Sequence, residues 1–210
     1  MPRSLLLSLL IWLVEILFVT ALVSDEWLRS VQRTEDTMIA SFLGTTKDNE
    51  IRREASQWFD TLFVRTGIRE SVWHYFIPTE AERQGSMGFE AVGRDDLFPF
   101  IAGRLRVLWD SVYQMLRRFL LIIAWWPFLV AAVLPSAVDG MVQRRIGQSN
   151  FAYSSPLAHR YSLYAILGTA YVLLLGLTLP FPIPPQAVPA ACAVIALAVN
   201  VYLAQTQKRV

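Results

Sequence analysis

Two serines and a histidine in the stretch FAYSSPLAHRY are of the types that carry nucleophilic catalysis. Ser154 or Ser155 would supply the nucleophile and His159 the general base. Closeness along the chain does not provide the geometry of a catalytic triad, and the sequence has no G-x-S-x-G nucleophile elbow. It also has no P-loop, dinucleotide-binding fingerprint or H-E-x-x-H motif. We therefore expect no enzyme activity, no catalytic residues and no bound cofactor.

The sequence offers no set of metal ligands. His74 and His159 are the two histidines, and Cys192 is the single cysteine and lies inside an apolar run. The topology that the apolar runs predict places the two histidines on opposite sides of a membrane, where they cannot share an ion. The sequence therefore predicts neither a metal site nor a disulfide.

Glu15 is the most unusual titratable residue because it lies in the middle of an apolar run, from Leu5 to Val23. A carboxylate at the centre of a membrane span costs about 2.5 to 3.5 kcal/mol on insertion scales, so it should face protein. One interpretation is a proton or ion site. The other is a neutral or hydrogen-bonded side chain that fixes helix pairing, with Asn200 or Thr20 as partner. Asn200, in the last apolar run, is itself typical of a residue that joins helices.

Four apolar runs are long enough to cross a membrane. The chain is 54% hydrophobic and 17% charged, and its mean hydropathy is +0.40, whereas soluble domains are roughly 25% charged. The sequence therefore predicts an all-α membrane protein with four transmembrane helices. The predicted parts are an uncleaved signal-anchor helix (1–23), a helical extracytoplasmic segment (24–118), a second span (119–138), a basic cytoplasmic loop (139–160), a transmembrane hairpin (161–204) and a cytoplasmic tail (205–210).

Helical periodicity is clear in the segment between the first two spans. Apolar residues recur at helical spacing from Leu28 to Phe42, and Gly44 is a stop signal. A second helix is predicted from Ile51 to Leu62. Residues 77–94 are rich in glycine and read as a loop, and from Phe98 a helix is predicted to run on into the second span.

The positions of lysine and arginine predict the orientation of the spans. If all four runs cross, the basic residues near the membrane collect on one side, and the turn PFPIPPQ on the other side has none. By the positive-inside rule both termini and the loop 139–160 are cytoplasmic. Arg117 and Arg118, at the outer end of the second span, run against this rule but adjoin a long segment, where the rule weakens.

The loop 139–160 carries the candidate partner-binding residues, which are Asp139, Arg144, Arg145 and Arg160. They would form a docking patch for a cytoplasmic partner, with the stretch GMVQRRIG as a short interfacial turn. The alternative is that the arginines only enforce topology and meet anionic headgroups of the bilayer, at about 1 kcal/mol each.

The stretches LPSAVDGMVQRRIG and FAYSSPLAHRY, the four-span layout and the long outer segment resemble a family of inner-membrane proteins encoded by integrating conjugative elements and related plasmids, a domain family of unknown function. Pro135, Asp139, Gly140 and Arg144 match its pattern. The resemblance implies a part in conjugative DNA transfer by a type IV secretion apparatus, close to the coupling ATPase or the inner-membrane platform.

We therefore expect a structural or adaptor protein of the bacterial inner membrane. Its partners would be the lipid bilayer and other membrane proteins of a transfer apparatus, and a homo-oligomer is left open. A net charge of +2 is too small and too dispersed to predict direct nucleic-acid binding. The alternative function is a small channel or transporter subunit that uses Glu15.

The predicted topology can be tested with reporter fusions. Alkaline phosphatase, which is active only outside the cytoplasm, should be active when fused after Gln84 and inactive when fused after Gln148. The same result at both positions would overturn the orientation.

Overall fold

The computed structural model describes residues 10, 14–16, 18–77, 97–150 and 155–206, and within them the chain is helical with no β-strand. The prediction of an all-α protein is confirmed for these residues. The elements are α1 (Asp25–Leu43), α2 (Thr45–Phe59), a π-helical turn (Asp60–Val64), α3 (Ile68–Phe76), α4 (Leu97–Ala124), α5 (Trp126–Ser149), α6 (Pro156–Thr178) and α7 (Ala187–Ala204).

Three helices of the described part, α5, α6 and α7, are long and apolar enough to cross a membrane. Most of their side chains are not buried within the chain, as expected for helices that face lipid. The sequence predicted four such helices. The first of them, at residues 1–23, falls largely outside the described residues, so its crossing of the membrane stays a prediction. The predicted loop at residues 77–94 also falls almost entirely outside them.

The helix that was predicted to run from Phe98 through the second span is instead broken at Trp125. Pro127 has no amide hydrogen to donate to the carbonyl of Ile123, and its ring crowds that carbonyl. Trp125 accordingly leaves the α-helical conformation, with φ −91° and ψ 2°, and Pro127 lies in the first turn of α5. The helix that is long and apolar enough to span a membrane is thus Trp126–Ser149, while the span predicted at residues 119–138 stays a prediction.

The helix α5 also extends further than predicted. It continues through Pro135 to Ser149, so residues 139–149 are helical rather than a short interfacial turn. Asn150 ends the helix, and its amide donates to the carbonyl of Ile146. Arg144 and Arg145 thus lie on this helical continuation of α5.

The helix α1 ends at Gly44, where the sequence predicted a stop. The Ser24 hydroxyl accepts the amide of Trp27 at 3.2 Å, and Asp25 and Glu26 occupy the positively polarised first turn. Gly44 ends α1 with φ 84°, a conformation that favours glycine. The second predicted helix is confirmed as α2 followed by the π-helical turn.

Contacts divide the chain into two compact units. Unit 1 comprises Met1–Leu120 and Leu177–Pro182, and unit 2 comprises Leu121–Gly176 and Ile183–Val210. In unit 1, α2 and the π-helical turn meet α4 through aromatic rings. Phe59 and Phe63 contact the ring of Trp109 with centroids 6.1 and 5.6 Å apart.

In unit 2, α5 and α7 approach each other closely at Gly140. A Cβ atom at this position would lie 2.6 Å from the carbonyl oxygen of Asn200 and 3.1 Å from Cβ of Leu203. The Asn200 amide donates to the carbonyl of Ser136 at 3.1 Å and to Asp139 Oδ2 at 2.7 Å. Only glycine permits this backbone approach, which brings Asn200 within reach of α5.

The beginning of α6 meets the end of α7, as in an antiparallel hairpin. The amide of Ser155 donates to Gln205 Oε1 at 2.8 Å, and the ring of His159 stacks on that of Tyr202 with centroids 4.3 Å apart. The proline-rich residues 179–186 connect the two helices.

The close approach at Gly140 predicts a position-specific effect of adding one methyl group. Gly140→Ala should destabilise the helix pair by about 1 to 3 kcal/mol, because the new Cβ must displace backbone rather than a flexible side chain. Thermal unfolding in detergent, followed by tryptophan fluorescence, measures the change.

Gly168→Ala on α6 is the matched control, since a Cβ there has open space around it. It should leave the unfolding temperature unchanged or raise it slightly, because alanine is the better helix former. Equal effects of the two substitutions would contradict the close packing of α5 and α7.

Candidate functional site

A set of charged side chains in unit 1 is largely buried, with Asp36 and Arg52 partly exposed. We call it the charge cluster. The helix α1 contributes Glu35 and Asp36, α2 contributes Asp48 and Arg52, and α4 contributes Gln114, Arg117 and Arg118. Glu35 is only 2% exposed and Arg117 only 3%. Charged side chains are rarely buried to this degree unless they are paired.

One half of the charge cluster consists of two arginines and two aspartates. Arg117 donates to Asp36 and, at 2.8 Å, to Asp48. Arg52 donates to the same two carboxylates, at 3.0 Å to Asp36 and 2.6 Å to Asp48. The hydrogen bond from Asp48 raises the pKa of Arg52 above its usual value. The two guanidinium groups and two carboxylates thus neutralise one another and join α1, α2 and α4.

The other half is built around Arg118. Its Nη2 donates to Glu35 at 2.6 Å and to the carbonyl of Phe181 at 2.7 Å, and its Nη1 donates to the carbonyls of Leu179 and Leu177 at 2.6 and 3.3 Å. Gln114 donates to the same Glu35 carboxylate. Carbonyl groups at and beyond a helix C-terminus lack partners within the helix. Arg118 supplies those partners and so fixes residues 177–181 to α1.

The charge cluster holds helices in position. Arginine does not lose its proton at physiological pH, and each carboxylate of the cluster is already engaged by an arginine. Within the ranges that the structure describes, no group of three or more His, Cys, Asp or Glu could hold a metal ion. The arrangement sets the positions of three helices and of residues 177–181.

The sequence carries a signal for this cluster. The buried residues of α1 are Leu28, Val31, Glu35 and Ile39, so Glu35 lies on the apolar stripe of that helix. An acid on such a stripe requires a buried cation, and Arg117 and Arg118 are the unexplained cations of the sequence. The two arginines are exceptions to the positive-inside rule, and their complementarity to Glu35 accounts for them.

The predicted partner-binding residues differ in their contacts. Asp139 accepts hydrogen bonds from Gln143 and Asn200, both at 2.7 Å, and so takes part in the contact between α5 and α7. Arg160 donates to the hydroxyl of Tyr164 at 2.8 Å, on its own helix. Arg144 and Arg145 do lie together.

A shallow groove along the C-terminal part of α5 contains both arginines and has a volume of about 520 Å³. Its other lining residues are Val138, Met141, Val142 and Gln148. The groove thus combines two basic side chains with exposed apolar ones on a single helix.

The residues considered for catalysis have structural contacts instead. The Ser155 hydroxyl accepts the amide of Ala158 at 3.3 Å at the start of α6, and His159 Nδ1 lies 3.2 Å from the carbonyl of Tyr202. Ser154 lies outside the described residues.

The two partners that the sequence suggested for Glu15 have hydrogen bonds of their own. The Thr20 hydroxyl donates to the carbonyl of Ile16, and Asn200 is bonded to α5. Glu15 lies instead at the edge of an open cavity of about 590 Å³ in unit 1. One of its carboxylate oxygens is buried and has no hydrogen-bond partner among the described residues.

The charge cluster predicts that loss of one buried partner is costly. Arg118→Met should destabilise the protein by about 3 to 5 kcal/mol, because Glu35 loses its buried cation. Chemical unfolding in detergent measures this, and the double variant Glu35→Leu with Arg118→Met should recover part of the loss.

Arg29→Met is the control, since Arg29 forms an exposed ion pair with Asp25 on the same helix. Such pairs contribute about 0 to 1 kcal/mol. An Arg118→Met protein as stable as Arg29→Met would show that the buried pair does not hold unit 1 together.

Comparison with protein families relates the chain to one family. It matches the family described as "IncC plasmid conjugative DNA transfer protein DtrJ-like" over residues 6–207. No curated protein and no solved structure matches it. The predicted kinship with proteins of conjugative elements is thereby confirmed in its coarse form, while the domain family of unknown function and the four-span layout stay predictions. Because the match covers nearly the whole chain, the protein belongs to the DtrJ-like family of plasmid conjugative DNA-transfer proteins.

Proposed function

We propose that the protein is an integral inner-membrane structural or adaptor component of a conjugative DNA-transfer apparatus of the type IV secretion class. The observation that carries this proposal is the family match over residues 6–207. The three apolar helices α5, α6 and α7 support a place in the membrane. The use of polar side chains to join helices, in the charge cluster and at Asn200, supports a structural role.

The docking surface in this proposal is the C-terminal part of α5. Arg144 and Arg145 lie there beside Met141, Val142 and Ile146, and these three apolar side chains are exposed. Basic and apolar groups on one rigid helix suit an acidic protein surface with apolar contacts at its centre. With the predicted topology the surface is cytoplasmic, where it would meet a partner such as the coupling ATPase.

Asp139 and Arg160 have different roles in this proposal. Asp139 holds Asn200 and thereby sets the position of α5 against α7. Arg160 lies on α6 with its guanidinium 5.4 Å from the ring centre of Tyr164, and it provides a second, weaker contact for a partner. The proposed docking patch therefore centres on Arg144 and Arg145 rather than on all four residues that the sequence suggested.

Conjugation assays test the proposal. Deletion of the gene should abolish or strongly reduce plasmid transfer, and the double variant Arg144→Gln with Arg145→Gln should lower transfer and co-purification with the coupling ATPase by about tenfold or more. A tenfold loss corresponds to about 1.4 kcal/mol of docking free energy.

The matched control is Arg53→Gln with Arg106→Gln, which removes two exposed arginines from unit 1. It should leave transfer unchanged. Because arginines also orient membrane spans, the reporter fusion after Gln148 must be inactive in the double variant too. Unchanged transfer after gene deletion, or after loss of both α5 arginines, would reject the proposed role.

A further inference from the structure

The open cavity at Glu15 is bounded by apolar groups. Its lining residues are Glu15, Phe18, Val19, Leu22, Val23, Ser24, Trp27, Leu179, Pro180 and Phe181. The indole N–H of Trp27 is already bonded to the carbonyl of Pro180 at 2.8 Å. Among the described residues of the lining, Glu15 is thus the one ionisable residue, and one of its oxygens has no partner in the described part of the chain.

The helical residues beside this cavity present an apolar face that nothing in the described chain covers. Val14, Phe18 and Leu22 follow one another at intervals of four residues and are 54%, 57% and 67% exposed. Residues at this spacing lie on one side of a helix. Glu15 adjoins this side, so a helix that packed on the face would reach its carboxylate.

Three occupants of this face are considered: a second copy of the chain, a lipid headgroup and a helix of a different protein. The sequence of the chain itself excludes the first. None of the four predicted spans contains lysine or arginine between its ends, so a second copy would offer Glu15 no cation within the membrane. In a symmetric pair it would bring one carboxylate against another, which is unfavourable.

A lipid headgroup does not fit either. Glu15 is ten residues from Leu5 and eight from Val23, the ends of the apolar run. At about 1.5 Å per residue it lies roughly 12 to 15 Å from either end of the run, near the bilayer centre. The ammonium group of a phospholipid stays at the interface, outside that distance.

We propose that this face of residues 14–22 seats a transmembrane helix of a different protein, one that carries an arginine or lysine near its middle and pairs it with Glu15. The partner helix covers the apolar face, and its cation neutralises a carboxylate that the apolar surroundings disfavour. Glu15 is thereby assigned to heterologous association rather than to ion passage. The inference rests on the proposed membrane function and on the predicted first span.

Association in lipid vesicles tests this assignment. The full chain carries a donor dye at its N-terminus, and a synthetic 21-residue leucine–alanine helix carries an acceptor and one central arginine. A second peptide has leucine in place of the arginine. By energy transfer the native chain should bind the arginine peptide about tenfold more tightly than the leucine peptide, as polar pairs between membrane helices provide.

Variants of the chain separate the alternatives. Glu15→Leu should abolish the preference for arginine, and it favours insertion of the span, so its effect is not a failure to enter the membrane. Glu15→Lys should reverse the preference towards a peptide with a central glutamate. Thr20→Val is the control and should keep the arginine preference, because the Thr20 hydroxyl bonds only to its own helix.

Three results would overturn the inference. They are equal binding of the two peptides, an arginine preference that survives in Glu15→Leu, and self-association of the chain that depends on Glu15. The conjugation assay is independent of these readouts. An arginine preference together with normal transfer after gene deletion would reject the proposed function and retain the assignment of Glu15.

Discussion

The constraint on which unit 1 depends is the cost of burying charge. Arg117 and Arg118 leave water almost completely, and that loss is offset only because acids from α1 and α2 meet them at hydrogen-bond distance. Arg118 shows this most clearly, since one guanidinium serves Glu35 and three backbone carbonyls of residues 177–181. An apolar core of similar volume could be as stable, but it would not prescribe which carbonyls α4 must meet. The cluster therefore specifies the arrangement of unit 1 as well as holding it.

Unit 2 follows the same rule with uncharged groups. Asn200 lies in an apolar helix and bonds to a carbonyl and a carboxylate of α5 across the contact at Gly140. In surroundings of low dielectric a polar side chain without a partner is costly, so the close backbone approach and the amide belong together. Glu15 is the contrast, because one of its oxygens has no partner in the described part of the chain. That contrast singles out residues 14–22 as a face that another molecule completes.

The proposed assembly role rests on kinship and on geometry. The DtrJ-like family concerns conjugative DNA transfer, and the charge cluster and Asn200 join helices of this chain. Two features remain directed outward: the arginines at the end of α5, and the carboxylate beside the apolar face of residues 14–22. An adaptor within a membrane assembly requires surfaces of these two kinds, one for a partner beside the membrane and one for a partner within it.

The sequence by itself determined the elements that depend on neighbouring residues. The cap at Ser24, the stop at Gly44 and the apolar runs of α5, α6 and α7 are local patterns, and each was predictable. The break at Trp125 was also predictable, because Pro127 interrupts the helix there. Only the tertiary structure decided which distant residues pair. Glu35 and Arg118 are 83 positions apart and Asp139 and Asn200 are 61 apart, and nothing in periodicity or composition chooses such partners. The physical reason is that helix formation is governed by contacts three or four residues apart, whereas the partner of a buried charge is set by which helices pack together.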